Sequence, residues 1–385
     1  MDARLQFVAD YLTGGFTMTE LCRRYGVSRP TGYQLVHRYA AEGERGLAPR
    51  SRRPVTHPQA TPAAIVRDIL QLRERHPHWG PRTLIERLRR RAPDVAWPAA
   101  STVGALLQAR GLVRPRRRSQ PIPVAPRGPT PVEAANAEWS IDFKGQFPTA
   151  DGILCYPLTV MDRFSRYLLA CRALAAPRSA PTRTVLEALF HEFGLPDRIR
   201  SDNGAPFAGP TTLARLSRLS VWFIRLDIVP ELIQPGCPAQ NGRHERMHRT
   251  LKQYTARPPA RTLAAQQRRF AQFRAEYNDE RPHAALNGLT PTMLYVPSTR
   301  VMPAHLPEIT YPGHFEWRRV KPNGCVKWRN EEILVTTVLV GEPVGLEEIA
   351  DGAWAVYFGP VRLGTLDERR GRILSGKTSP PHANC

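Results

Sequence analysis

Trp139-Ser140-Ile141-Asp142-Phe143 sets an acidic side chain inside a run of strand-forming residues, and a strand interior disfavours Asp. Outward from it, Ser201-Asp202-Asn203-Gly204 holds a second Asp just beyond the strand-like run Asp197 to Ser201. The end of a strand is where α/β sheets collect ligands. A third run, Pro238-Ala239-Gln240-Asn241-Gly242-Arg243-His244-Glu245-Arg246, carries Glu245 on a helix predicted over Asn241 to Thr255. Singly each has an ordinary reading. Asp142 reads as a surface strand residue, Asp202-Asn203-Gly204 as a turn, and Glu245 beside Arg246 as a helix charge.

The surroundings alternate strand and helix. Strand-like runs are Ala137 to Phe143, Ile153 to Asp162, Tyr167 to Ala173, Asp197 to Ser201 and Val221 to Asp227, and helical spacing covers Pro181 to Phe193. Farther on stand Tyr277-Asn278-Asp279-Glu280-Arg281-Pro282-His283, then Leu286 and Thr290-Pro291. In this order the runs resemble the motifs of retroviral-integrase-like DDE transposases of bacterial insertion sequences, over residues 136–297. The resemblance implies an α/β RNase H-like catalytic core, a mixed sheet flanked by helices, with Asp142, Asp202 and Glu245 as catalytic triad and metal ligands. One departure is that 42 residues separate Asp202 from Glu245, more than the family usually has. A surface insertion between Phe207 and Ser220 accommodates it. Glu231 is the rival third carboxylate, but it lacks the neighbouring Asn-Gly and the helix.

The chemistry agrees with that set of residues. Phosphodiester cleavage and strand transfer drive an oxygen in line at phosphorus while another leaves, and two Mg²⁺ ions can serve the two oxygens. Hard Mg²⁺ prefers carboxylate oxygens, so three acidic side chains suffice; Mn²⁺ is the expected substitute. Asp142 would bridge both ions, Asp202 would hold one and Glu245 the other. Asn241, Glu245, Arg249 and Lys252 share one helix face, so Arg249 and Lys252 are expected to reach DNA phosphates beside the scissile bond. His244 and His248 have chelate spacing but no third convergent ligand in the sequence. His283 is expected at a phosphate or a helix end.

The flanks point to the same partner. Residues 17 to 39 read as a helix-turn-helix with Ser28 as N-cap and Pro30 in the first turn of the second helix. Ser28, Arg29, Thr31 and Gln34 are therefore expected to face DNA. The predicted domains are a helix-turn-helix at 1–50, a second at 60–113, a basic Pro-rich linker at 114–135, the core at 136–297 and a small DNA-binding β-barrel at 310–375. In the last, Arg318, Arg319, Lys321, Lys327 and Arg329 stand among Trp317 and Trp328, a mix suited to a DNA backbone.

The 385 residues carry a formal net charge of +21, an excess that a neutral-substrate enzyme has no need of and a polyanionic partner explains. No signal core, spanning stretch or C-x-x-C pair is readable in the 385 residues. The expectation is a cytoplasmic protein, nucleoid-associated when bound to DNA, with no membrane partner, acting as a homo-oligomer on element ends and target DNA. Its leading function is a Mg²⁺-dependent DNA transposase. The alternatives are a catalytically inactive DNA-binding regulator on the same fold and a structure-selective RNase H-like nuclease.

Overall fold

The computed structural model describes residues 3–50, 60–113, 132–234 and 238–374. Two compact units divide the chain, Met1–Pro62 and Ala63–Cys385. The first holds α1 (Ala3–Leu12), α2 (Met18–Tyr25) and α3 (Arg29–Glu42) around Phe7, Leu21 and Leu35. Thr17 and Glu20 close a capping box on α2, Gly26 ends it in the left-handed region at φ 64, and the Ser28 side chain accepts from the Thr31 amide to start α3. At Gly32 a Cβ would lie 2.8 Å from both Cys22 Sγ and Met18 Sδ, so only glycine lets α3 cross α2 this closely. The expected helix-turn-helix is present.

The second unit opens with α4 (Ala63–Arg75), α5 (Pro81–Arg91) and α6 (Ala100–Ala109), packed around Trp79, Leu84, Leu88, Val103 and Leu107. Pro81 begins α5 as the sequence predicts. Most of the basic connectors, residues 51–59 and 114–131, lie outside the described residues.

Next come β1 (Trp139–Phe143), β2 (Phe147–Pro148), β3 (Leu154–Asp162), β4 (Leu168–Leu174), α7 (Ser179–Phe193), β5 (Arg198–Ser201), α8 (Arg218–Arg225), β6 (Val229–Leu232), α9 (Gly242–Thr255) and α10 (Leu263–Ala275). β3 pairs antiparallel with β1, β2 and β4, whereas β1–β5 and β5–β6 are parallel. This is the expected mixed sheet. Strand alternation sends Ile141, Leu158 and Val160 into a core with α7 and α8, and Cys155, Met161 and Leu168 into a core with α9 and α10.

Two expectations fail here. Val221 to Asp227, expected as a strand, belongs to helix α8, which Ser217 and Ser220 start with a reciprocal cap. Its β-branched and aromatic composition misleads because α8 is buried on two sides. Leu219, Trp222 and Phe223 enter the core under the mixed sheet, while Val221 and Ile224 enter the cluster beneath the C-terminal strands, so four apolar residues run together as they do in a buried strand. Nor is 207–220 a surface insertion: Phe207, Ala208, Leu216 and Leu219 are all buried.

The C-terminal strands are β7 (Glu316–Arg319), β8 (Cys325–Trp328), β9 (Glu331–Leu334), β10 (Pro343–Ala350), β11 (Ala353–Phe358), β12 (Val361–Asp367) and β13 (Arg372–Leu374). They form an antiparallel sheet in the order β13-β12-β11-β10-β7 and a separate β8–β9 ribbon, sharing one hydrophobic cluster. Among the described residues no ladder closes these strands into the expected barrel. No helix of the described residues is long and apolar enough to cross a membrane.

Candidate active site

β1 and β5 run parallel with Trp139 opposite Ile199 and Ser140 opposite Arg200. Two residues farther along this register, Asp142 and Asp202 stand side by side at the same end of the sheet. Asp142 points to the α9 face, where its Oδ2 accepts from Asn241 Nδ2 at 3.0 Å. Asp202 Oδ1 accepts from the Gly204 amide at 3.1 Å. Burial, then the neighbouring Asp202 charge, pushes the Asp142 carboxyl up to about 7. Among the described residues no Lys or Arg makes an ion pair with either carboxyl. Glu245 stands exposed in the first turn of α9, one turn beyond Asn241. Asn241 is thus a clamp on Asp142 rather than a free DNA contact.

Under α9 lies a buried polar network that sequence reasoning did not find. His244 Nδ1 is 2.8 Å from Ser140 Oγ, and its Nε2 is 2.6 Å from Thr159 Oγ1. His248 Nε2 is 2.7 Å from the same hydroxyl, and its Nδ1 is 3.8 Å from Asp142 Oδ2. Burial lowers both imidazoles below their ordinary value, His244 to about 3, so both are neutral. Asp142, His244 and His248 offer ligand atoms within 4.8 Å of one another. Asp142 is the third convergent group that the sequence pattern of the two histidines lacked, brought in by strand alternation and a helix crossing.

Glu231, the rival carboxylate, lies on β6 and binds Arg200 Nη2 at 2.9 Å. Arg200 and Arg163 also flank buried Glu138, so this group locks the sheet. Arg249 and Lys252 are exposed on α9 as expected. Lys252 lines a cleft with Lys144 and Arg257. Ser28, Arg29, Thr31 and Gln34 are all exposed on the first helical unit. His283 is not at the surface. It is 9% exposed, its ring meets Tyr277 edge-on at 4.6 Å, and its Nε2 lies 3.3 Å from the Tyr277 carbonyl in the turn that continues α10, so the helix-end alternative holds in place of the phosphate contact.

The basic surface differs from expectation as well. Arg318, Lys321 and Arg329 pair with Glu316, Glu332 and Glu368. Trp328 is core, donating to Glu368 at 2.8 Å, whereas Trp317 is 54% exposed. By contrast the charges of Arg166, Arg246 and Arg281 all act on the Tyr277 hydroxyl, Arg243 neighbours Arg166, and Arg281 also donates to Tyr254 in the last turn of α9. None of the four forms an ion pair among the described residues. Arg243 and Arg246 are neighbours on α9, and the fold brings Arg166 and Arg281 to them.

Known proteins resemble the chain in the same segments. Integrase core domain models match residues 132–238 and 226–291, a helix-turn-helix model matches 3–54, and a homeodomain-like model matches 31–107. An uncharacterized 39.2 kDa protein of insertion element IS476 from Xanthomonas euvesicatoria is 29% identical over 64% of this chain and 69% of its own. An uncharacterized 31.7 kDa protein of insertion element IS407 from Burkholderia multivorans is 28% identical over 47% of this chain and 62% of its own. The integrase catalytic core domain of HTLV-2 in complex with magnesium superposes with a TM-score of 0.34 at 15% identity, over 44% of this chain and all of that one. Integrase-core segments following helix-turn-helix segments, with insertion-element proteins among the relatives, support an integrase-like transposase of the insertion-sequence kind.

Proposed function

We propose that the protein binds the ends of its element through the helical domains at 1–50 and 60–113, nicks them, and joins the 3′-hydroxyl to a target strand. Asp142, Asp202 and Glu245 are the catalytic carboxylates of this reading. The observation that carries it is the pairing of Asp142 and Asp202 at one sheet end, where the Asp202 charge raises the cost of ionising Asp142 and, among the described residues, no Lys or Arg forms an ion pair with either. A divalent cation fits that donor set. It relieves the repulsion, and the ligands are hard oxygens suited to Mg²⁺. Bound there, such an ion supplies Lewis acidity to the attacking and leaving oxygens of the phosphodiester.

The chain's own residues do the positioning. Asn241 holds Asp142 Oδ2 in place, and α9 carries Glu245 one turn away on the same helix. Arg249 and Lys252, farther along α9, and the Arg166–Arg243–Arg246–Arg281 group take phosphates of the DNA backbone. Both element ends must be cut together, so a homo-oligomer assembled on DNA is the active form, within the cytoplasm and on the nucleoid. Against this, the regulator reading lacks any use for the paired carboxylates.

The test is cleavage and joining of the DNA flanking the gene, in Mg²⁺ or EDTA, by wild type and by Asp142→Asn, Asp202→Asn and Glu245→Gln. Joining should need the metal and fall by at least about a thousandfold in each variant, while DNA binding persists. Joining at the wild-type rate by Glu245→Gln removes that residue from the site. DNA binding with no breakage by any of the four proteins moves the function to a regulator.

A further inference from the structure

The buried network under α9 has one electron pair left over. Thr159 Oγ1 has three partners: the Asp142 carbonyl at 3.0 Å, His244 Nε2 and His248 Nε2. A carbonyl only accepts, and a hydroxyl has a single proton. All three bonds are made only if Thr159 donates to the carbonyl and both imidazoles donate their Nε2–H to Thr159. Each ring, being neutral, then carries a bare Nδ1. That of His244 takes the Ser140 proton at 2.8 Å, the shorter of that hydroxyl's two contacts, the other being the Met161 carbonyl at 3.2 Å. That of His248 meets no donor among the described residues, and what faces it is Asp142 Oδ2, another acceptor, at 3.8 Å.

Two lone pairs that face each other in a buried pocket repel unless a cation or a proton lies between them, and 3.8 Å is too long for a proton shared in a hydrogen bond. With bonds of about 2.1 Å, neighbouring ligands of an octahedral ion stand roughly 3 Å apart, so an ion here would draw the two atoms together from 3.8 Å. Asn241 already occupies one direction on Oδ2, which leaves the carboxylate turned towards His248. We propose that His248 Nδ1 is a nitrogen ligand of the ion held by Asp142, and that the site accordingly prefers a borderline ion such as Mn²⁺ to Mg²⁺. Imidazole suits transition ions, whereas Mg²⁺ favours oxygen donors and retains its water. His244 is the positioning residue of this set, holding Thr159 and, through it, the tautomer of His248.

This inference rests on the reading that Asp142 holds a metal, and its test separates the two. Mn²⁺ is titrated into the full-length protein without DNA, free Mn²⁺ is counted by electron paramagnetic resonance, and the bound ion is probed by pulsed spectra for coupling to ¹⁴N. Wild type should show ¹⁴N coupling. His248→Gln, which can still reach Thr159, should lose it and bind Mn²⁺ at least about tenfold more weakly, with Mg²⁺ binding changed less. Mn²⁺ binding that depends on Asp142 but shows no ¹⁴N coupling, or coupling retained in His248→Gln, overturns the nitrogen ligand and leaves the carboxylate site standing. Absence of Mn²⁺ binding in wild type overturns the ligand directly, and metal-independent joining in the assay above is what would overturn the catalytic reading itself. Because the wild-type spectrum needs no variant, poor folding of His248→Gln does not decide the outcome.

Discussion

Asp142 is acidic in composition but poorly able to ionise where it stands, and that makes it measurable. Its folded value is about 7 against an ordinary 3.8. Between those limits the native state holds a proton that the unfolded chain has lost, so its contribution to stability falls as pH rises from about 4 to about 7. Asp142→Asn removes this dependence. Without metal, the variant should match wild type near pH 4 and exceed it by on the order of 4 kcal/mol by pH 8. The neutral histidines have the opposite slope, losing stability as pH falls through the unfolded imidazole range, but they are common to both proteins and cancel. Urea unfolding in EDTA at pH 5 and pH 8 makes the comparison, and a difference that does not change with pH shows that Asp142 is not titrating in this range. Added Mg²⁺ should shrink the gap by binding wild type alone. Asp142 and Asp202 stood out because acidic residues in strand and strand-end positions violate local preference, whereas Glu245 on its helix was picked out by the resemblance. His248 was not legible, since its meaning depends on which hydroxyl and which carboxylate the fold sets against its two nitrogens.

At the scale of elements, α9 does more than carry Glu245. Its far end presents Tyr254, whose hydroxyl donates to Glu276 at 2.9 Å, and the same oxygen accepts from Trp79 Nε1 at 2.8 Å and lies 3.1 Å from His76 Nδ1. Trp79 is wholly buried in the α4–α6 cluster, which Tyr254 also lines. Burial raises the Glu276 carboxyl, and the bonds from His76, Tyr254 and Trp79 more than offset it, leaving it lowered overall. Glu276→Ala would strand two donors in a dry place, at a cost of about 3 kcal/mol. Urea unfolding should show that loss, and hydrogen exchange should show α4–α6 loosening before the sheet; exchange unchanged in α4–α6 would separate Glu276 from their anchoring. Most elements could be read from periodicity and caps, as Ser28 and Pro81 show. α8 could not, because its sequence records burial on two sides rather than one.

For the whole molecule, the net charge of +21 forecast a polyanionic partner without locating its track. The C-terminal basic run, conspicuous in sequence, is largely paired with carboxylates, while Arg166 and Arg281 join Arg243 and Arg246 of α9 only in the fold. If those arginines hold phosphates, Arg166→Gln and Arg246→Gln should each lower the salt slope of DNA binding by about 1 and weaken all sequences alike. Arg318→Gln, already answered by Glu316, should change the slope little. Fluorescence anisotropy across a salt series distinguishes the two surfaces, and equal slopes for all three variants would remove the arginine group from the DNA path. The knot at Glu276 has one more consequence. If α9 carries the cutting carboxylate and α4–α6 read the DNA, as proposed, their fastening works as a ruler, with the gap between the sequence read and the bond broken cast into the protein. One extra base pair in that gap moves the bond by about 3.4 Å along the duplex, and a ruler of this kind has no slack to follow it.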